Sequence, residues 1–316
     1  MSDEPILKVE HLKKYFNTKK GVLHAVDDVS FSIDRGKTLG VVGESGCGKS
    51  TTGRCVLRLI EPTEGKVWFD GQDITGLKPN EMRMIRQKMQ IIFQDPYSSL
   101  NPRMTVSDII AEPVKLHKLC SSKAAVEARV DELMETVGLA ERLVNSYPHE
   151  LDGGRRQRVG IARALALNPD FIVCDEPVSA LDVSIQAQIL NLMQDLQEKM
   201  GLTYIFITHN LSVVNHLADE IAVMYLGKIV ELAPAVELFE QPQHPYTKAL
   251  LSAIPVPSIH KKVELQTLKG EISSPIDPPD ACRFAPRCPY ATDRCRCESP
   301  ELKDLGNGHK AACFLL

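Results

Sequence analysis

Residues 38–56 constrain the fold of this chain more than any other stretch. Thr38-Leu39-Gly40-Val41-Val42 is a short apolar run. It leads directly into Gly43-Glu44-Ser45-Gly46-Cys47-Gly48-Lys49-Ser50-Thr51, which fits Gly-x4-Gly-Lys-Ser/Thr, and a helix-compatible stretch starts at Lys49. Glycines let such a loop wrap so that backbone N–H groups face phosphate oxygens. Lys49 supplies a point charge for the β/γ-phosphates, and the Ser50 hydroxyl can ligate Mg²⁺. The helix that follows aims its positive end at the same anion. Strand, loop and helix stand in the order this motif requires.

A second apolar run, 171–174, ends in Asp175-Glu176-Pro177. An acid leaving a buried strand end can hold a Mg²⁺ shell, and the next residue can polarise an attacking water. Helix-patterned residues 183–199 follow, then the strand-like run 203–208. Strands alternating with helices predict an α/β fold with a parallel sheet covered on both faces. Residues 6–11 and 22–33 read as short strands of an antiparallel β flap, and residues 105–168 as mostly helical. Seven prolines between 255 and 289 exclude long helices there, so a boundary is expected near 255–260.

Composition sets limits on partners. The 316 residues carry 37 basic and 41 acidic side chains, a net charge of −4. With no basic tract, duplex nucleic acid is excluded as an expected partner. No apolar run reaches the ~18–20 residues of a membrane span, and the acidic Met-Ser-Asp-Glu-Pro start is not a secretory signal. The chain is expected at the cytoplasmic face of the membrane, held there through a partner.

Between the two phosphate-site motifs stands Leu151-Asp152-Gly153-Gly154-Arg155-Arg156-Gln157-Arg158. This octapeptide closely resembles the Leu-Ser-Gly-Gly-Gln signature of ABC-type ATPases. The resemblance covers about residues 6–255 and implies a P-loop NTPase (RecA-like) core, domain 1–255, with a helical subdomain at about 97–168. It implies ATP and Mg²⁺ as ligands. Carried onto this sequence, it assigns Gly43 to Thr51 to Walker A and Gln94 to the Q-loop. Asp175 takes the Walker B acid, Glu176 the catalytic base, 179–182 the D-loop and His209 the switch histidine. Phe16, with Tyr15 as the alternative, falls where an aromatic stacks on adenine. Asp152, Gly153 and Gly154 would reach the nucleotide of the opposite subunit, since such ATPases work as head-to-tail pairs.

The signature departs from the family twice, with Asp152 for Ser and Arg155 for Gln. Two readings of Asp152 stand open. Its carboxylate could face a phosphate across the dimer, at roughly 1–4 kcal/mol for like charges a few ångströms apart. That would leave one fast and one slow ATP site. Alternatively, Asp152 is the N-cap of the signature helix, a role for which Asp is as good as Ser.

Several phrases resemble the oligopeptide/dipeptide/nickel importer branch, notably 99–105 and His244-Pro245-Tyr246-Thr247. The resemblance implies uptake of di- or oligopeptides, with nickel or another small solute as the alternative cargo. A non-transport or regulatory ABC ATPase is the other class. The implied partners are a second, related ATPase forming a heterodimer, two permeases and an extracytoplasmic binding protein. It also implies a small Cys-rich tail over 256–316. There Cys282, Cys288, Cys295 and Cys313 match the branch's pattern and are expected to hold a [4Fe-4S] cluster, or zinc. Cys297 is extra.

Overall fold

The computed structural model describes residues 4–254, 270 and 273–316. These form two compact units, residues 1–76 with 206–316, and residues 77–205.

The first unit opens with a long antiparallel hairpin, β1 (Leu7–Thr18) and β2 (Gly21–Ile33). Leu7 and Val9 are buried with exposed Lys8 between them, the alternation of a strand with one buried face, and an irregularity in register between Val9 and Leu12 brings Leu12 back to the buried side. Next come β3 (Thr38–Val42), α1 (Lys49–Val56), β4 (Glu64–Phe69) and β5 (Gln72–Asp73). The flap sheet runs β2-β1-β4-β5 with antiparallel neighbours. All five residues of β3 are buried, as befits a strand covered on both faces.

The second unit is mostly helical. It holds α2 (Pro79–Lys88), β6 (Met89–Ile92), the short α3 (Pro96–Ser99), α4 (Val106–Leu116), α5 (Lys123–Thr136) and α6 (Gly153–Leu165). Thr105 caps α4 and Ser122 caps α5, each accepting a backbone N–H three residues on. Then come β7 (Phe171–Asp175), α7 (Val183–Met200) and β8 (Thr203–Thr208). Strand β6 runs parallel to β7 from Met89↔Phe171 to Ile92↔Cys174. The end of β8 leads back into the first unit.

There the chain forms α8 (Leu211–Leu217), β9 (Glu220–Tyr225), β10 (Lys228–Pro234), α9 (Ala235–Glu240) and α10 (Pro245–Ser252). Strand β9 is parallel to β3 but antiparallel to β10. The expected all-parallel sheet is therefore mixed. The reason is the Leu226-Gly227 link, whose φ values of 43° and 84° make a two-residue hairpin turn. So short a connection cannot carry a crossover. The tail supplies α11 (Asp293–Cys297), β11 (Lys303–Asp304) and β12 (Lys310–Ala311). β12 pairs with β10, so this unit's second sheet runs β11-β12-β10-β9-β3. Among the described residues, no helix is long and apolar enough to cross a membrane.

A buried polar node ties these last elements together. Glu231 on β10 is 0% exposed. It accepts the backbone N–H groups of Gln243 (2.6 Å) and His244 (3.0 Å), and pairs with His309 Nε2 at 2.7 Å. His244 caps α10, with Nδ1 accepting from Tyr246 N at 3.1 Å. That bond needs an unprotonated Nδ1, and burial pushes the His244 pKa down to about 4. The unfolded chain takes up this proton near pH 6.5 and the folded chain does not. Stability from His244 is therefore complete above about pH 6.5 and drains as the pH falls towards about 4. Between pH 7 and 5 the loss is expected to be about 2 kcal/mol. Urea unfolding at both pH values checks it: His244→Asn, which retains a cap, should flatten the difference.

Candidate functional site

The loop 43–48 is shaped by residues without side chains at its two ends. Gly43 has φ 152° and Gly48 φ 104°. A Cβ on Gly43 would lie 2.2 Å from Met224 O, and one on Gly48 2.1 Å from Ala25 O. The loop thus wraps against neighbouring backbone where no other residue fits. Lys49 is 4% exposed, and its ammonium donates to Gly43 O (2.8 Å) and Glu44 O (3.0 Å). The charge is held at the mouth of the loop, where a phosphate oxygen can take over those donors. Gly227 N donates to Cys47 O at 2.8 Å and fixes the loop's far side. Burial pushes the Cys47 thiol up, so it stays protonated and inert. A cavity of about 340 Å³ is lined by Glu44 to Cys47, Tyr225, Leu226 and Ser273 to Pro275.

On β1, the Lys14 ammonium lies 4.9 Å from the Phe16 ring centre. Tyr15 is otherwise engaged: its hydroxyl donates to Asp27 and its ring stacks on His24 at 4.0 Å. That leaves Phe16 as the aromatic to weigh for a base-stacking role. His209 follows β8 and is exposed, and Asn210 beside it caps α8.

Asp175, Glu176, Gln94 and the signature octapeptide lie in the second unit. Asp175 ends β7 at 1% exposure. Glu176 then turns into the left-handed region at φ 46°, a conformation that costs a non-glycine residue of order 1–3 kcal/mol and clusters at working sites. Gln94 Nε2 donates to Glu176 Oε2 at 3.0 Å, bringing two predicted residues together across 82 positions. Ser179 N and Oγ both donate to Glu176 O, at 3.3 and 3.1 Å. Glu176 is thus gripped at backbone and side chain.

At the octapeptide, Asp152 is the N-cap of α6, its Oδ1 accepting from Arg155 N at 2.8 Å. Arg155 Nη1 lies 3.5 Å from Asp152 Oδ2. A Cβ on Gly154 would come within 2.7 Å of Ile185 Cγ2, and one on Gly153 within 3.0 Å of Leu181 Cδ2. The two glycines therefore also serve packing, since the start of α6 lies against residues 181–185. Spacing alone did not reveal this.

The expected metal centre in the tail is not there. No group of three or more Cys, His, Asp or Glu side chains among the described residues is arranged to hold a metal ion. The [4Fe-4S] assignment to Cys282, Cys288, Cys295 and Cys313, with its zinc alternative, is therefore corrected. All nine cysteines are free. Burial, joined by the neighbouring sulfurs, pushes the Cys282, Cys288 and Cys313 thiols up. The expectation rested on the spacing of the four cysteines, which matches the branch's pattern. Instead the tail borrows a core. Phe284, 1% exposed, packs its ring 5.3 Å from Tyr225, 5.4 Å from Tyr246 and 5.5 Å from His244. Arg283 donates to Asp27 and to Leu226 O.

A glycine-walled loop on a buried strand, with a lysine at its mouth, defines a nucleotide-binding P-loop protein. The comparisons narrow the class. The ABC transporter family model matches residues 26–179, and the oligopeptide/dipeptide transporter C-terminal region matches residues 230–295. A putative peptide import ATP-binding protein of Brucella ovis is 51% identical over 314 residues, 99% of each chain. The oligopeptide transport ATP-binding protein AppF of Bacillus subtilis is 50% identical over 324 residues, covering 99% of this chain and 98% of AppF. Among solved structures, the dimeric ATP-binding cassette MJ0796 bound to ADP and Pi aligns with a TM-score of 0.67 at 30% identity. It covers 72% of this chain and 98% of that one. CbiO1 of Clostridium perfringens, part of an ABC transporter complex, aligns with a TM-score of 0.67 at 28% identity, covering 76% and 92%. The chain belongs to the ABC transporter ATPases, and within them to the peptide-import ATP-binding proteins that carry the oligopeptide/dipeptide C-terminal region.

Proposed function

We propose that this chain is one of two related ATPase subunits that energise di- or oligopeptide uptake at the cytoplasmic face of the membrane. It would form a heterodimer, drive two permeases, and receive cargo from an extracytoplasmic binding protein. Relatives named for peptide and oligopeptide import, about half identical over nearly the whole chain, support the cargo class.

The observation that carries the chemistry is the Gln94–Glu176 hydrogen bond. In this reading Glu176 takes a proton from the attacking water, and Gln94 fixes the carboxylate's orientation. Lys49 offsets charge on the β/γ-phosphates, and loop N–H groups orient them. Ser50 and Asp175, with Gln94 beside them in role, would hold Mg²⁺, which neutralises phosphate charge as it develops. His209 would contact the γ-phosphate and Phe16 the adenine.

The occupied cap favours a competent signature over a degenerate one, because the Asp152 carboxylate is already engaged within its own helix start. The experiment is to purify the tagged full-length chain from membranes and reconstitute what comes with it. Hydrophobic permeases and a second ATPase should copurify, and peptide with binding protein should stimulate ATP hydrolysis. In that complex Asp152→Ser should leave turnover within about twofold, since serine preserves the cap. A chain that purifies alone, with turnover indifferent to peptide, would sink the transport reading. A larger rise in Asp152→Ser turnover would restore the idea of one slow site.

A further inference from the structure

The phosphate loop carries a carboxylate of its own. Glu44 stands between Gly43 and Ser45 and lines the cavity of about 340 Å³ together with Gly46 and Cys47, so a like charge lies beside the loop read as the phosphate site. Arg287, from the tail and 243 positions away, grips both of its oxygens. Nη1 donates to Oε2 at 2.7 Å and Nη2 to Oε1 at 3.1 Å. Two N–H···O bonds from one guanidinium to one carboxylate are the strongest form of this pair. The Arg287 side chain is 8% exposed and that of Glu44 24%, so solvent ions screen the pair weakly.

The guanidinium is itself held in place. Nη1 reaches Tyr225 Oη at 3.4 Å, and the group lies 5.9 Å from the Tyr225 ring centre. Arg287 N donates to Phe284 O at 3.0 Å, which ties it to the tail's aromatic core. On the other side, Glu44 N donates to Tyr246 Oη at 3.0 Å. The tail also fastens to the flap: His24 N donates to Pro275 O at 3.0 Å, and Val22 N to Asp277 Oδ1 at 3.0 Å.

We propose that Arg287 is a positioning residue of the ATP site. By holding and neutralising Glu44 it allows the loop to accept a triphosphate, so docking of the tail sets this subunit's affinity for MgATP. The proposal rests on reading Gly43 to Thr51 as the phosphate site.

Titration calorimetry of the purified full-length protein with MgATP tests it. Arg287→Met should weaken binding about tenfold, the scale of one uncompensated charge several ångströms from an anion. Glu44→Gln in the Arg287→Met background should return affinity to within about threefold of wild type, since the offending charge is gone. Loosened packing would not be rescued in this way. Wild-type affinity in Arg287→Met overturns the proposal, and so does an equal loss in the double variant. If circular dichroism shows Arg287→Met unfolded, Arg287→Gln replaces it with the same expected outcomes. A wild-type chain that binds no MgATP sinks the phosphate-site reading itself, a result distinct from a wild type that binds and an Arg287 variant that matches it.

Discussion

Replacing Glu176 with glutamine is expected to lower ATP turnover by roughly 10²–10⁴-fold, the range for removing a general base, while MgATP still binds. Glutamine matches glutamate in size and keeps an oxygen for the Gln94 Nε2 donor, now 3.0 Å away. It also leaves the Ser179 bonds to the Glu176 carbonyl untouched. What it cannot do is accept a proton from water. The change therefore separates proton transfer from positioning. Phosphate release by the reconstituted complex, read beside calorimetric MgATP affinity, makes the comparison. Unchanged turnover would remove Glu176 from the base role, and loss of both turnover and affinity would assign it to binding. The left-handed backbone at Glu176 sharpens the case, because a strained residue without function is easily replaced by glycine.

Truncating Phe284 to alanine is expected to cost about 3–5 kcal/mol of stability in the unit that holds it, the range for emptying a buried aromatic site. The ring meets Tyr225, Tyr246 and His244 at once, so the cavity cannot close by movement of one neighbour. Denaturant unfolding of the full chain measures the loss, and limited proteolysis locates it. Early cleavage within 273–316 would show that the tail detaches first. A loss under about 1 kcal/mol would mean that the tail is held elsewhere.

The strand–loop–helix around residues 38–56 and the strand ending in Asp175 were legible because their signals are local. The five buried residues of β3, the glycines of the loop, and the acids at the end of β7 are each read within ten positions. The antiparallel flap was expected over 6–11 and 22–33, but its first strand is longer, running from Leu7 to Thr18. The mixed sheet was not legible, because its direction depends on the Leu226-Gly227 turn, and no apolar pattern encodes that. The tail was misread for a related reason. Its spacing suggested a metal framework, but Phe284, Arg283 and Arg287 complete surfaces made by residues 27, 44, 225 and 246. Contacts that span 243 and 256 positions for the two arginines, and tens of positions for Phe284, leave no periodic trace. Asp152 lay between these cases: the sequence offered two roles, and the hydrogen bond to Arg155 N fills the cap.

The Glu231 node has a practical corollary for anyone dividing this protein. Its carboxylate is wholly enclosed and faces His309 from one side and the start of α10 from the other. A fragment ending after α10 would keep Glu231 and lose His309. The same cut removes β12, which pairs with β10 at Glu231, so the node loses both a hydrogen-bond partner and its cover, and such a fragment would report on a weakened protein. Kinetic constants measured on it would describe the cut as much as the ATPase.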